Sequence, residues 1–230
     1  MGPTEILPGI HPVLVPLQKR FAAASEKADA AAMAAYMKGH FPFVGIKAPA
    51  RRALQRAHWD EQGPPSMDDL PAVLRSAFAQ PERELHYAAT DLLVKHAGKL
   101  GPQHLPLVEE LITTKSWWDT VDALAVHVAG SILKRHPEAV EEWNGRWAGS
   151  ADLWLNRTAI LFQNRWKDDT DRALLFANID RHAASKEFFI RKAIGWSLRE
   201  LGKTDPGAVL AFVQARKLSP LSEREAVRNL

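Results

Sequence analysis

Residues 154–163 read WLNRTAILFQ, and the same frame recurs along the 230-residue chain. In its last three copies an alanine follows two polar or basic positions and precedes an apolar one, and the two earlier copies share the alanine. When the copies are aligned on Ala89, Ala123, Ala159, Ala193 and Ala226, they are 34, 36, 34 and 33 residues apart. This period fits one pair of helices per repeat, and such pairs must stack to bury their apolar faces. We therefore predict an all-α fold of HEAT-like helical repeats, forming a curved α-solenoid with a concave face.

The rest of the chain agrees with a single helical domain. Ala, Leu, Arg, Lys and Glu recur in segments whose apolar positions have helical spacing, and the alternation typical of strands is scarce. Breaks fall at proline-containing dipeptides, and none is long enough to be an interdomain linker. We predict one domain over residues 1–230. The first residues lack the pattern of a secretory signal, and no stretch approaches the roughly 20 apolar residues of a membrane span, which favours a cytoplasmic protein.

Several classes of chemistry lose their support from composition and motifs. The chain has no cysteine, which excludes disulfides, thiolate zinc sites and a cysteine nucleophile. Its nine histidines show no HExxH-like spacing, and neither a glycine-rich phosphate loop nor a GxSxG elbow is present. We expect neither a metal ion nor a cofactor, and a monomer is the simplest oligomeric state.

Positive charge is concentrated in one stretch. The formal net charge is only +3, but residues 154–199 contain nine Lys and Arg against five Asp and Glu, a balance of +4 that leaves −1 for the remainder. A local basic surface suits a polyanion, and the arginine fork suits phosphate oxygens.

The repeat frame also aligns aromatic residues. The position five before the alanine holds Trp118, Trp154 and Phe188 in three consecutive repeats. For any single tryptophan, packing in the core is the more common role. Trp117 is the best candidate for that role, because it lies about 100° around the helix from Trp118. The aligned rings predict an aromatic surface shared by neighbouring repeats.

Charged residues occupy nearby positions of the same frame. Asp122 precedes its alanine by one residue, while Arg157 and Arg191 precede theirs by two. Ser116 and Asp119 have the spacing of a capping box, but Asp122 lies beyond the first turn, where aspartate is a poor helix former. A surface aspartate without a role stays open, as does pairing of the arginines with acids on adjacent helices. Repetition at one position favours arginines that follow a phosphate backbone.

Four runs resemble the AlkD-type DNA alkylation repair glycosylases, a family built from HEAT-like repeats. They are FPFVGIKAPARR (residues 41–52), KSWWDTVD (115–122), WLNRTAIL (154–161) and FFIRKAIGW (188–196). The resemblance covers residues 12–230, and the runs occur in the family's order. It implies that Trp118, Asp122 and Arg157 are catalytic, and that Trp196 and Tyr36 complete the aromatic pocket. It further implies contacts to DNA or the lesion from Trp154, Phe188, Arg191, Lys192, Lys47 and Arg51.

The resemblance implies an activity on double-stranded DNA. The enzyme would remove purines alkylated at N3 or N7, such as 3-methyladenine and 7-methylguanine, without flipping the base, and would associate with the nucleoid. Asp122 would stabilise the cationic sugar, and Arg157 would bind a flanking phosphate. The competing hypothesis is a non-catalytic HEAT-like scaffold that binds DNA or a protein. Permanent neutralisation of Asp122 by a neighbouring arginine would contradict the catalytic interpretation.

Overall fold

The computed structural model describes residues 9–228 and 230. In this part of the chain helices are joined by turns and loops, and no strand occurs. The predicted all-α, helical-repeat class is confirmed. None of the helices in the described ranges is long and apolar enough to cross a membrane. The α-helices are α1 (Val15–Ala23), α2 (Lys27–Tyr36), α3 (Ala48–Gln62), α4 (Leu70–Ala79), α5 (Arg83–His96), α6 (Leu105–Thr113), α7 (Trp118–Ala123), α8 (Gly130–Arg135), α9 (Val140–Ala148), α10 (Leu153–Leu161), α11 (Arg172–His182), α12 (Phe188–Gly202), α13 (Pro206–Ala215) and α14 (Pro220–Ala226).

The chain divides into two compact units, the first ending at Lys95 and the second comprising His96–Leu230. The boundary falls at the last residue of α5. The sequence placed a single domain over residues 1–230, and that assignment stays a prediction.

In the first unit, the loop before α3 is held by a buried carboxylate. Glu84, in the first turn of α5, has no exposed surface. Its oxygens accept hydrogen bonds from the backbone N–H groups of Val44 (3.0 Å), Gly45 (2.9 Å) and Ile46 (3.3 Å). Charge-assisted hydrogen bonds to backbone donors are stronger than neutral ones, and three of them satisfy the buried acid. The FPFVGIK run thus attaches its loop to α5.

Gly45 in this loop has no substitute with a side chain. Its φ is +96°, in the region that only glycine adopts without strain. A Cβ at this position would lie 2.1 Å from the carbonyl oxygen of Glu26. The loop therefore passes against the start of α2 only because residue 45 has no side chain.

In the second unit, the helices that carry the repeat frame stack side by side. Helix α10 packs against α7 on one side and α12 on the other, and α12 packs closely on α14. The frame alanines lie within these helices, and Ala159, Ala193 and Ala226 are at most 1% exposed. Small side chains at these positions let the helices approach, and aliphatic residues such as Ile160, Ile194 and Leu198 complete the core. The sequence repeat therefore corresponds to a repeat in how neighbouring helices pack.

A π-helical segment joins α7 to α8. Residues Leu124–Ala129 form this segment, and the Gly130 N–H donates to the carbonyl of Ala125, five residues earlier. Single π turns inside α-helices are rare, and those that occur are often found at functional sites. Here the π turn immediately follows the helix that carries Asp122.

Candidate active site

The start of α7 differs from the sequence prediction. Trp117, not Ser116, is the residue before the first helical position, and its side chain makes no capping hydrogen bond. The Ser116 hydroxyl donates instead to the carbonyl of Ile112 at 2.7 Å, and Asp119 accepts from the N–H of Thr120 at 3.0 Å. The predicted capping box is wrong, because Ser116 extends the hydrogen bonding of the preceding helix.

Helix α10 has a well-formed start that fixes its first turns. The carboxylate of Asp152 accepts hydrogen bonds from the N–H groups of Trp154 (2.8 Å) and Leu155 (3.0 Å). Such a cap satisfies donors that have no partner within the helix and stabilises it by about 1 kcal/mol. Arg157 follows one turn later on this anchored segment.

Asp122 and Arg157 form a two-pronged ion pair between α7 and α10. Arg157 Nε lies 2.7 Å from Asp122 Oδ1, and Nη2 lies 2.8 Å from Oδ2. The Arg157 side chain is 5% exposed and that of Asp122 is 20% exposed. The acid therefore keeps a solvent-facing edge, whereas the guanidinium is enclosed.

The third side of the Arg157 guanidinium is also occupied. Its Nη1 donates a short hydrogen bond to the carbonyl of Phe189, in the first turn of α12. All three guanidinium nitrogens donate to protein groups and the side chain is only 5% exposed, so Arg157 presents little surface to a phosphate. This geometry does not support the expected contact between Arg157 and a DNA phosphate. Arg157 is positioned to orient Asp122.

Burial and the ion pair act on Asp122 in opposite directions. Burial raises the pKa of the Asp122 carboxyl above its ordinary value, while the hydrogen bonds and charge of Arg157 lower it and the nearby charge of Asp119 raises it further. Arg157 thus opposes protonation of an acid whose surroundings favour the neutral form.

The aromatic residues do not form the predicted row of equivalent rings. Trp154 is 9% exposed, and its ring packs 5.7 Å from Trp117 and 5.0 Å from Phe189, measured between centroids. Trp118 is half-buried and Phe188 is 57% exposed. Trp154 therefore belongs to a packed cluster and offers little surface to DNA. Trp117 fulfils the predicted packing role.

Trp196 lies on α12 beyond the Arg157 contact. It is half-buried, packs on the core of the second unit, and its indole N–H donates to Glu200 at 3.3 Å. It follows Phe189 by seven residues, which returns it to nearly the same side of the helix two turns further on. Its ring is thus on the side of α12 that carries the carbonyl bound by Arg157.

The two cationic residues of α12 that were expected to contact DNA already have protein partners. Arg191 is half-buried and its Nε donates to the carbonyl of Ser185 at 2.9 Å. Lys192 Nζ lies 3.0 Å from a carboxylate oxygen of Glu225 and is 37% exposed. Arg191 thus links α12 to the loop before it, and Lys192 links α12 to α14. Lys192 keeps part of its surface open to a ligand.

Three expected site residues lie in the first unit. Tyr36, the last residue of α2, is 71% exposed. Lys47 is 71% exposed and its ammonium lies 3.0 Å from Asp29. Arg51 is 4% exposed and donates to Asp91 at 2.8 Å, whereas its neighbour Arg52 is 63% exposed. The expectation that Arg51 contacts DNA is therefore corrected: burial directs this arginine to Asp91.

The sequence did not reveal two groups that hold local structure, one in each unit. The carbonyl of Phe189 is a backbone group, and no residue type announces it. Glu84, which holds the loop of the first motif, is one of many acids near a helix start. Only its lack of any exposed surface distinguishes it, and this is a property of the folded protein.

The family profile for "DNA alkylation repair enzyme" matches residues 17–230. The chain belongs to this family. As a DNA alkylation repair enzyme it acts in the repair of alkylation damage, with DNA as its substrate. It is similar to a solved structure described as a predicted DNA alkylation repair enzyme from Enterococcus faecalis. That similarity has 33% sequence identity and a TM-score of 0.84, and covers 90% of this chain and 96% of that one. The comparison with curated proteins found no match.

Proposed function

We propose that the protein is a DNA glycosylase of base-excision repair. It hydrolyses the N-glycosidic bond of cationic purines alkylated at N3 or N7, such as 3-methyladenine and 7-methylguanine, in double-stranded DNA. The observation that carries the proposal is the partly exposed carboxylate of Asp122, oriented by both prongs of Arg157. Reaction without base flipping is part of the proposal and rests on the family resemblance alone.

The reaction needs one negative group beside the sugar. When the bond from C1′ to the purine nitrogen breaks, its electron pair stays with the base and neutralises the positive charge of the alkylated ring. C1′ becomes cationic, as in other glycoside hydrolyses. Water then bonds to C1′ and loses a proton to Asp122 or to solvent, leaving an abasic site and the free base. The departing base needs no general acid, which is why one carboxylate is sufficient.

Pairing of Asp122 with a neighbouring arginine is the arrangement that the sequence analysis set against a catalytic role, and the structure contains it. The proposal is kept because the Asp122 side chain is 20% exposed, so the ion pair reduces its electrostatic effect without cancelling it. A carboxylate about 4 Å from the cationic sugar contributes roughly 4 kcal/mol at an effective dielectric constant near 20. The guanidinium behind it, about 8 Å from the sugar, opposes this by about 2 kcal/mol. The remaining stabilisation of about 2 kcal/mol corresponds to roughly 30-fold in rate. The rest must come from orientation of the water and the substrate.

Arg157 also has a positive role in this mechanism. A buried carboxyl without a cation nearby takes up a proton, and a neutral acid does not stabilise a sugar cation. The pKa of Asp122 is raised by burial, so the cation that opposes this shift keeps the acid functional. The ion pair therefore limits the charge effect and at the same time maintains the charge.

The same ion pair favours a second candidate function, a non-catalytic helical scaffold that binds DNA. An arginine that occupies both carboxylate oxygens is also what a purely structural contact between α7 and α10 requires. The two candidates differ in one consequence: only the glycosylase needs the negative charge of Asp122 for base release.

The test measures free base released from duplex DNA that contains 7-methylguanine. We expect the wild-type protein to release the base and Asp122→Asn, which keeps the size of the side chain, to lose nearly all activity while it binds DNA with similar affinity. Arg146→Gln, at an exposed ion pair with Glu109, is the matched control and should retain activity. Absence of release by the wild type, or full activity of Asp122→Asn, would favour the scaffold.

A further inference from the structure

A cavity lies in the second unit, beyond the end of α10. Its volume is about 350 Å³, and it is enclosed by the turn that follows α10 and by the last turns of α12. Its wall carries the basic side chains of Arg165, Lys167 and Lys203, one acid, Glu200, and the polar side chains of Asn164 and Ser197. Asp122, Arg157 and Trp196 are not part of this wall. The cavity is therefore distinct from the ion pair, although it adjoins Trp196, whose indole N–H donates to the wall residue Glu200.

Two of the cationic wall residues have no acidic partner. Arg165 and Lys167 are exposed, and no carboxylate among the described residues pairs with either of them. Lys203, by contrast, binds both oxygens of Glu200, at 2.7 and 2.6 Å. The four charged groups thus sum to +2, and the uncompensated charge comes from Arg165 and Lys167. A wall of this kind favours an anion.

The backbone at Lys167 is held in an unusual conformation. Its φ is +56°, in the left-handed region that L residues rarely adopt. Such strain costs about 1–3 kcal/mol and persists where the surrounding structure imposes it, commonly at binding sites. Trp166 imposes the turn here, because its buried indole N–H donates to the carbonyl of Gly130 at 3.0 Å. The turn therefore keeps Lys167 at the edge of the cavity.

Asn164 is anchored in the wall by Ser197. The Ser197 hydroxyl lies 2.8 Å from the carbonyl oxygen of Ile160 and 2.7 Å from the end of the Asn164 side chain. Because a hydroxyl carries one proton, which the carbonyl of Ile160 accepts, the amide group of Asn164 serves as donor to Ser197. Asn164 thus fixes the turn that carries Arg165.

We propose that this cavity binds a phosphate of the DNA backbone through Arg165 and Lys167. The inference rests on the proposed action on DNA, and it assigns to these residues the contact that Arg157 is too enclosed to make. Arg165 and Lys167 lie in the turn beyond the C-terminal end of α10, whereas Arg157 lies within that helix. The phosphate that they bind is therefore a different one from any beside Asp122. The contact anchors the duplex and takes no part in bond breaking.

The test measures the affinity of the full chain for a short undamaged duplex between about 50 and 200 mM salt. Each lost phosphate contact makes the log-log dependence of affinity on salt shallower by about 0.9. We expect this change for Arg165→Ala and again for Lys167→Ala, with additive loss in the double variant. The matched control is Arg181→Ala, an exposed arginine on α11 that does not line the cavity. Slopes equal to that of the control would overturn the proposal.

Two further measurements separate this proposal from its alternatives. Binding of inorganic phosphate alone, measured by calorimetry, tests for a small-anion site; a response of phosphate but not of duplex to the substitutions would overturn the assignment to DNA. On DNA that contains 7-methylguanine, Arg165→Ala should slow base release at subsaturating protein, whereas the control Arg181→Ala should leave the rate unchanged. If no base is released by any variant but the salt slopes shift, the phosphate site stands and the glycosylase proposal fails.

Discussion

Arg157 binds both carboxylate oxygens of Asp122 and donates a third hydrogen bond to the carbonyl of Phe189. One side chain thus joins α7, α10 and α12, three successive helices of the repeat stack. An arginine in this arrangement fixes the direction of the acid it holds. Arg157 is therefore best described as a positioning residue for Asp122.

Loss of Arg157 should change the pH dependence of base release. Burial raises the pKa of Asp122, and Arg157 opposes that shift. The active form is the ionised acid, so activity falls as the pH is lowered through this pKa. In Arg157→Ala the pKa rises further, and the acidic limb of the single-turnover rate should move to higher pH. Arg157→Lys, which keeps the charge, should move it partly back; equal profiles for all three proteins would contradict this role.

The same substitution should destabilise the fold in a pH-dependent way. Removing one partner of an enclosed ion pair costs about 3 kcal/mol in the free energy of unfolding. A folded-state pKa above the unfolded value means that the folded protein binds more protons, so stability increases as the pH falls through that pKa. Urea unfolding should show the deficit of Arg157→Ala at neutral pH narrowing in acid. A stability deficit that widened in acid would contradict the predicted direction of the pKa shift of Asp122.

Arg157→Ala should leave the salt dependence of DNA binding unchanged. The Arg157 side chain is 5% exposed, and all three of its guanidinium nitrogens donate to protein groups. It therefore releases no counterion from DNA when the complex forms. Fluorescence anisotropy across a salt series measures the slope. A slope shallower by about 0.9 would mean that Arg157 leaves Asp122 and binds phosphate in the complex.

Trp118→Ala should slow base release moderately. Trp118 begins α7 one turn before Asp122 and is half-buried. A ring face beside a cationic lesion or sugar contributes about 0.5–2 kcal/mol, or roughly 2- to 30-fold in rate. Trp118→Phe keeps an aromatic face and should retain most of the single-turnover rate. Equal losses in both variants would indicate that the indole acts through packing.

Arg51 and its neighbour Arg52 should respond in opposite ways. Arg51 is enclosed against Asp91, so Arg51→Ala should lower the free energy of unfolding by about 2 kcal/mol and leave the salt slope of DNA binding unchanged. Arg52 is 63% exposed, and Arg52→Ala should cost less than about 1 kcal/mol. Denaturation and binding measured on the same two variants distinguish the roles. A DNA-binding defect confined to Arg51→Ala would restore the original expectation.

Gly45→Ala should disrupt the loop that precedes α3. The added Cβ would collide with the carbonyl of Glu26, and alanine is strained at a φ of +96°. Together these effects should cost about 3 kcal/mol in the free energy of unfolding. Gly98→Ala is the matched control, because a Cβ there meets nothing within 4 Å. Thermal unfolding measures both, and similar melting temperatures would contradict the tight approach.

The repeat could be predicted from sequence because its cause is local and periodic. Alanines spaced 33 to 36 residues apart mark the places where neighbouring helices approach, and Ala159, Ala193 and Ala226 lie there, fully buried. The same periodicity placed Asp122 and Arg157 on adjacent helices. It could not pair them, since the aspartate and the arginine occupy different positions of the frame.

Side-chain burial was the part that sequence could not supply. Arg51 and Arg52 are adjacent and identical in type, yet only one of them is enclosed. Trp154 and Trp118 occupy the same position of the frame, but Trp154 packs between Trp117 and Phe189. Which face of a helix meets its neighbour depends on small rotations that residue types alone do not fix. The FPFVGIK run likewise serves the attachment of a loop to Glu84.

The π turn between α7 and α8 determines which neighbouring helix Asp122 faces. Hydrogen bonds that span five residues accommodate one more residue in the turn than an α-helix does. Without that residue, the part of the helix before the turn would rotate by about 100° relative to the part anchored after it. Asp122 would then face a different neighbour, and Arg157 would be left with no anion to hold. One inserted residue thus determines the direction in which Asp122 points around the helix axis.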